Sequence, residues 1–271
     1  MKLERRVAVV TGGGRGIGEA ICRAFAAEGA HVAILDIDEK AARRLADQIE
    51  AEGIGARSIG AGSSGPARTA AWAVDVTDAG AVERAASEIE VRLGPIEVWV
   101  NNAGVSKIVP FLECTEELWD AIIRVNLKGT FNGCKAAIAR MLPRRRGVII
   151  NMSSQSGKQG TSQYQAYCAS KFAIIGLTQS LAVEFAGASI RVNALCPGFV
   201  RTPLWDEQLP DYAAKKGIPA DKVLPYLEER VPLGRLCSPE EVARAAVFLA
   251  SGEASYITGE ALNLSGGALM D

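Results

Sequence analysis

Short β-branched runs alternate with long Ala-rich stretches of helical period along this chain, and that alternation restricts the fold more than any single motif. Apolar runs fall at Val7–Val10, His31–Leu35, Trp72–Val74, Ile96–Val100, Val148–Asn151, Arg191–Ala194 and Ala261–Leu264. Helical patterns lie between them, near 17–28, 39–51, 78–92, 115–140, 165–186 and 239–250. Strand and helix in regular succession call for right-handed βαβ units, hence a parallel sheet with helices on both faces. Runs such as Val-Ala-Val-Val are apolar on both strand faces, as a sheet covered on both sides requires. The expected fold is α/β, doubly wound, with seven parallel strands in a single domain over residues 1–271.

Two stretches break the rhythm. Residues 53–70 are rich in Gly, Ser and Ala, carry nothing able to do chemistry, and read as a flexible surface insertion. Residues 200–235 carry five prolines (Pro203, Pro210, Pro219, Pro225 and Pro232) among aromatic and charged residues, and read as short helices forming a flap after the sixth strand. Ligands of open α/β sheets bind beyond the carboxyl ends of the strands, so this excursion is the expected substrate lid.

Composition removes several classes of function. Thirty basic residues against 31 acidic give a net charge of −1, so no basic field invites nucleic acid or an anionic membrane. The expected partner is a small molecule. The six cysteines are scattered without a CxxC pair, which argues against structural zinc and a disulfide framework. His31 is the single histidine, at the start of a strand, and its reading is structural. With no other histidine, Ser-His-Asp hydrolysis is excluded and proton transfer must use another group. Only four apolar residues, Val7–Val10, precede the first turn, and no run of about 20 apolar residues appears; the expectation is a cytoplasmic protein.

The first strand runs into Thr11-Gly12-Gly13-Gly14-Arg15-Gly16-Ile17-Gly18, and a helix follows. Glycines there permit a tight turn and close backbone approach, and the helix N-terminus offers free N–H groups to a pyrophosphate. The second strand ends at Asp36, 18 residues beyond Gly18, where a carboxylate can accept hydrogen bonds from ribose hydroxyls and repel the extra phosphate of NADP. Arg15, a cation inside the loop, pulls toward that phosphate. Asp36 sits nearer the 2′ position, so NAD is expected over NADP.

Tyr167 and Lys171 lie four residues apart and share a helix face. A tyrosine is a poor base at neutral pH, but a neighbouring ammonium favours its phenolate. Ser162, three residues before Gln165, is placed to cap that helix. Tyr-x-x-x-Lys is a common surface spacing and carries little weight by itself. Tyr164 has no lysine four residues on, and Cys168 points away from Tyr167 on the helix. The tryptophans on strands, Trp72 and Trp99, read as core, and Arg144-Arg145-Arg146 as a solvated turn.

These marks, with Asp75 in DVTD, Asn101-Asn102-Ala103-Gly104, Asn126 in VNLKGTF, Asn151-Met152-Ser153-Ser154 and Pro197-Gly198, occur in the order seen in short-chain dehydrogenases/reductases, which the sequence resembles over essentially its whole length. The resemblance implies a Rossmann fold and a dimer or tetramer built through the helices at 115–140 and 165–186. It makes Tyr167 the acid/base and Lys171 the residue that holds the nicotinamide ribose and depresses the tyrosine pKa. Ser154, 13 positions before Tyr167, would polarise the substrate carbonyl, and Asn126 would anchor a water linking Lys171 to solvent. Asp75 and Val76 would flank the adenine; Asn102, Ala103 and Gly104 would line the adenosine-ribose side; Pro197, Gly198, Val200 and Thr202 would meet the nicotinamide. With them go the loop residues Gly12, Arg15, Gly16, Ile17 and Gly18.

For the substrate, segments around Leu209–Ala213, Val231–Leu233 and Ala254–Gly259 resemble sorbitol-6-phosphate 2-dehydrogenases, which implies a polyol/ketose pair, phosphorylated or not. Lys107 and Lys158 follow the fourth and fifth strands, and Lys215 and Lys216 lie in the lid, so these ammonium groups are candidates to hold a phosphate. An unphosphorylated polyol would instead meet Gln155, Gln159, Gln163 and Trp205. Two other readings stay open: a 3-oxoacyl or other ketone reductase using NADPH, and a nucleotide-sensing protein that does no chemistry.

Overall fold

The structure is a computed structural model and describes residues 1–54 and 68–270. Seven strands form one sheet: β1 (Val7–Thr11), β2 (His31–Asp36), β3 (Thr69–Ala73), β4 (Ile96–Asn101), β5 (Gly147–Met152), β6 (Ile190–Pro197) and β7 (Ala261–Leu264). Their order is β3-β2-β1-β4-β5-β6-β7, and every pairing is parallel. Chain direction along the sheet reverses between β1 and β4, and the crevice beyond their carboxyl ends is where such a fold receives a ligand.

The helices are α1 (Gly16–Ala27), α2 (Glu39–Ala51), α3 (Ala79–Leu93), α4 (Glu116–Ile123), α5 (Gly129–Arg144), α6 (Gln165–Phe185), α7 (Pro203–Lys216), α8 (Val223–Glu228) and α9 (Pro239–Ala250). Local chemistry sets their starts. The side chains of Asp38, Asp78 and Thr115 accept backbone N–H groups at the beginnings of α2, α3 and α4, and Ser238 with Glu241 forms a reciprocal capping box on α9. Strand alternation separates two cores: Ala8 and Val10 of β1 pack toward α1, α2 and α9, whereas Val7 and Val9 pack toward α3 and α5 with the fully buried Trp99.

Several expectations shift. The third strand begins at Thr69, earlier than its apolar run, and is a sheet edge. Trp72 on it is therefore half-buried: its Nε1 donates to Glu88 at 3.1 Å and the Arg92 guanidinium lies over its ring. The insertion read at 53–70 falls mostly outside the described residues, and its last two residues already belong to β3. The helix read at 115–140 is α4 and α5 joined by a π-helical turn, Arg124–Lys128, which holds Asn126. Such turns insert one residue and re-aim side chains, often at functional sites.

The lid departs from the expected run of short helices. Pro203 sits in the first turn of α7, where its missing N–H costs nothing, and Pro210 is accommodated inside the same 14-residue helix. Ser162 does not cap α6; Tyr164 precedes that helix without a side-chain cap, and the Ser162 carbonyl instead accepts Lys215 Nζ at 2.5 Å. The arginine turn is paired: Arg144 with Glu90 and Arg146 with Glu97, each at 2.9 Å. His31 Nδ1 accepts the Arg68 N–H at 2.9 Å, a structural contact far from the strands' carboxyl ends. Among the described residues one helix, Gln165–Ala188, is long and apolar enough to cross a membrane, but α6 packs against β6 and carries Tyr167 and Lys171 toward the crevice.

Candidate active site

The crevice at the switch point opens into a cleft of about 440 Å³, ample for a small ligand. Its floor is the glycine loop. Gly12 has φ +60°, and a Cβ on it would approach Ala103 Cα to 2.8 Å, so only glycine lets the loop lie against β4. Gly12, Arg15, Gly16 and Ile17 line the cleft, but Gly18 lies beneath the loop, where a Cβ would collide with the Gly12 carbonyl oxygen. Gly18 thus permits α1 to approach the loop and is not itself a ligand surface. The Asn102 side chain locks the arrangement from above, its Nδ2 donating to the Thr11 and Gly12 carbonyls at 3.1 and 2.9 Å.

Asp36 ends β2 at the cleft rim and accepts the Gly14 N–H on Oδ2 at 2.9 Å and the Asp38 N–H on Oδ1 at 3.0 Å. Asp75 and Val76 follow β3 on the same side. Ala103 and Gly104 leave β4 along the cleft wall, and Pro197, Gly198, Val200 and Thr202 leave β6 opposite them. A glycine cradle at a helix N-terminus, a carboxylate at the end of β2 and an apolar patch of Val74, Val76 and Val125 form a set that fits a dinucleotide.

Ser154 follows β5, while Tyr167 and Lys171 project from the first two turns of α6 into the same cleft. A hydrogen bond with Ser154 favours the Tyr167 phenolate, but burial outweighs it and pushes the tyrosine up to about 12. Burial also lowers Lys171 to about 8. Lys171 Nζ donates to the Met152 carbonyl at 2.7 Å and lies 5.5 Å from the Tyr167 ring centroid. In the protein alone, burial of the phenol itself sets the Tyr167 shift, and the lowering expected from Lys171 is not seen there.

Asn126 does not line the cleft. It is fully buried behind the wall, its Oδ1 accepting the Val105 N–H at 2.8 Å and its Nδ2 donating to the Val105 carbonyl and Ser170 Oγ at 2.9 and 3.0 Å. The π-helical turn thereby clamps the loop after β4 to α6. Behind it a buried chain runs from Trp99 Nε1 to Asn101 Oδ1, from Asn101 Nδ2 to Asn151 Oδ1 and from Asn151 Nδ2 to Thr178 Oγ1, at 2.8–2.9 Å. It ties β4, β5 and α6, the three elements that carry the site.

Of the residues read for the substrate, Gln155 and Trp205 line the cleft, and Lys107 and Lys158 do not. Lys107 is engaged by Asp211 of α7 at 2.5 Å, and Lys215 caps Ser162 while lying over the Tyr164 ring. The expected convergence of ammonium groups in the cleft is therefore absent among the described residues: Lys107 and Lys215 fasten the lid, and Lys216 lies over the Tyr212 and Tyr226 rings. Sequence reading missed Ser106, Tyr164, Gln208 and Tyr212, which do line the cleft. For Gln208 and Tyr212 the signal was helical spacing, since Leu204, Gln208 and Tyr212 repeat every four residues on one face of α7.

The family model described as "Enoyl-(Acyl carrier protein) reductase" matches residues 12–268. The chain is 38% identical over 270 residues to the 3-oxoacyl-(acyl-carrier-protein) reductase FabG of Thermotoga maritima, covering 100% of both. The chain belongs to the short-chain dehydrogenase/reductase family. Within that family it is also 38% identical over 270 residues to the D-threitol dehydrogenase of Mycolicibacterium smegmatis, covering 98% of this chain and 94% of that protein. The crystal structure of the sorbitol-6-phosphate 2-dehydrogenase SrlD from Erwinia amylovora superposes with a TM-score of 0.90 at 36% identity, covering 97% of this chain and 100% of the other. As a family member the chain is an oxidoreductase acting on alcohol or ketone substrates with a nicotinamide dinucleotide, which sets aside the reading as a non-catalytic sensor.

Proposed function

We propose that this enzyme oxidises a secondary alcohol of an unphosphorylated polyol, and reduces the matching ketose, with NAD. The observation that carries the reading is the uncharged polar character of the cleft above Tyr167, where Ser106, Gln155, Tyr164 and Gln208 offer hydroxyl and amide groups and Trp205 and Tyr212 offer ring faces. A sugar alcohol needs many neutral hydrogen-bond partners; a sugar phosphate needs cations, and Lys107 and Lys215 are engaged by Asp211 and the Ser162 carbonyl. Similarity to a D-threitol dehydrogenase points the same way. Asp36 supports NAD, because a carboxylate at that rim repels a ribose phosphate.

The bound dinucleotide supplies the hydride chemistry. The Tyr167 hydroxyl exchanges a proton with the substrate oxygen, and Ser154 Oγ donates a hydrogen bond to that oxygen and orients it. Lys171 uses one donor on Met152 and keeps others for the nicotinamide ribose. Gly104 keeps open the space between Asn126 and Lys171: a Cβ there would lie 3.4 Å from Asn126 Oδ1 and 3.6 Å from Lys171 Nζ, a distance suited to a water that relays protons outward. The outward faces of α5 and α6 leave Phe131, Phe172 and Val183 exposed, which favours a homodimer or homotetramer.

A second reading, a 3-oxoacyl or other ketone reductase using NADPH, draws on Arg15 in the glycine loop and on the similarity to FabG. Initial rates with sorbitol, D-threitol and sorbitol 6-phosphate, each with NAD and NADP, separate the two. Turnover of free polyols with NAD is expected. Turnover of the phosphate ester alone, or of 3-oxoacyl thioesters with NADPH alone, overturns the proposal.

A further inference from the structure

We infer that Gln208, with Ser106 and Tyr164, reads a hydroxyl on the carbon next to the one that reacts, and is the residue through which the lid selects hydroxylated substrates over plain ketones. The inference rests on the polyol reading of the same cleft and deepens it.

Gln208 is an anomaly on its helix face. Its neighbours on the cleft side of α7 are Leu204, Trp205 and Tyr212, and the two aromatic ones pack with Phe199, Tyr164 and Leu227 into an apolar cluster. In that setting an amide is only 6% exposed. Burying an uncharged amide is costly unless its hydrogen-bonding groups are used. Two are: Gln208 Oε1 accepts the Tyr164 hydroxyl at 3.0 Å, and Nε2 donates to Ser106 Oγ. A glutamine amide has two donors and two acceptor positions, so one N–H and one lone pair remain. Ser106, having accepted from Gln208, keeps its own O–H to donate. Tyr164, having donated its proton, keeps oxygen lone pairs.

The three side chains therefore hold one another in place and present a preorganised set of donors and acceptors to the cleft, supplied by three separate elements: the loop after β4, the entry to α6 and the lid. Tyr164 also fixes where that set stands relative to the chemistry, because its ring packs edge-on against Tyr167 with centroids 5.8 Å apart. A substrate whose oxygen meets Tyr167 brings its neighbouring carbon under this group. A hydroxyl there satisfies the spare donor and acceptor; a methylene leaves them buried and unpaired, and sites built to bond a hydroxyl reject the analogue lacking it far more strongly than apolar pockets discriminate by size. The charge-free character of the trio matters too, since burial keeps the Tyr164 phenol neutral well above its ordinary range.

The test compares acetoin with 2-butanone, two ketones that differ by one hydroxyl on the adjacent carbon, using NADH and the full-length enzyme. The readout is the ratio of their kcat/KM values, which is independent of the fraction of enzyme that is folded. Wild type is expected to favour acetoin. Gln208→Met, of similar length but without hydrogen-bonding groups, should lower the ratio about ten-fold, chiefly through the KM for acetoin, and Ser106→Ala should move it in the same direction by less. An unmoved ratio, an equal loss on both ketones, or a wild type with no preference or no turnover of either ketone overturns the inference; an equal loss would leave Gln208 as a fastening of the lid only. Sorbitol and D-threitol are assayed alongside. Their failure with a ratio that still falls removes the polyol reading alone, and their turnover with an unmoved ratio removes the role of Gln208 alone.

Discussion

Arg15 of the glycine loop and Glu207 of α7 form an ion pair of 3.0 Å that joins the dinucleotide end of the cleft to the lid. The cation that would attract a ribose 2′-phosphate is thus occupied, while Asp36 stands at the rim with its carboxylate anchored on Gly14. Both relationships favour NAD, but by different amounts. The Arg15–Glu207 pair is more than half exposed, so Glu207→Gln should raise the kcat/KM ratio of NADP to NAD only a few-fold. Asp36→Ala removes the anion itself and should raise the ratio at least ten-fold. Steady-state kinetics with both dinucleotides measures each; an unchanged ratio in Asp36→Ala would show that Asp36 does not read the ribose.

Tyr167→Phe removes the exchangeable proton and the hydrogen bond with Ser154 while keeping the ring in place. Turnover is expected to fall by about three orders of magnitude, the scale of lost general acid–base catalysis, with dinucleotide affinity changed less than two-fold. Ser154→Ala should cost about a hundred-fold in kcat, since one donor to the substrate oxygen is lost while Tyr167 remains. Fluorescence titration with NADH separates binding from turnover in both variants.

Sequence reading reached the sheet and the floor of the site because those features are local. A strand buried on both faces is apolar throughout, and a glycine loop between strand and helix is contiguous, so β1, β2 and Asp36 announce themselves. Trp72 misled because an edge strand is covered on one side only. Asn126 was legible as a residue that works behind Lys171, but its clamp on the Val105 backbone was not, because it depends on the π-helical turn and nothing in a run of residues signals one extra residue in a helical turn. The lid was least legible. Pro210 reads as a helix break yet lies within α7, which hid the four-residue repeat that aims Gln208 and Tyr212 at the cleft.

The depressed Lys171 pKa has a consequence for stability in the dinucleotide-free protein. Below pH 8 the amine is charged in both states and burial of that charge is an undiminished penalty. Between about 8 and 10.5 the unfolded chain keeps a proton that the folded one has released, so stability relative to a variant without the amine rises with pH. Tyr167, whose pKa is raised, acts with the opposite sign, but only above pH 10. Buried thiols that titrate nearby are common to both proteins and cancel. Wild type should therefore gain about 2 kcal/mol on Lys171→Met between pH 7.5 and 9.5, at about 1.4 kcal/mol per pH unit once the folded amine is neutral. Urea unfolding at the two pH values checks the sign; a constant difference would place the amine in a well-hydrated site.

The buried chain through Asn101 predicts a variant that fails in stability before it fails in chemistry. Asn101→Leu leaves the Trp99 indole N–H and the Asn151 Oδ1 without that partner in a fully desolvated layer. An unsatisfied buried polar group costs about 1–3 kcal/mol, so a loss of about 3 kcal/mol is expected. Urea unfolding should show it, with kcat of the folded fraction reduced less than ten-fold because Tyr167 and Ser154 are untouched.

Lys107 decides whether the rim recognises phosphate. Its ammonium meets Asp211 at 2.5 Å, and the pair is half-exposed on one side and a third exposed on the other. Lys107→Met should loosen the lid slightly and raise the KM for sorbitol by less than three-fold, since exposed pairs contribute little. The ratio of sorbitol to sorbitol 6-phosphate turnover should stay constant, and it should not shift between 50 and 300 mM salt, because screening acts on a phosphate held by free cations and not on a cleft of neutral donors. A selective loss of phosphate-ester turnover in this variant, falling further with salt, would restore Lys107 to the substrate site and make the lid an anion clamp.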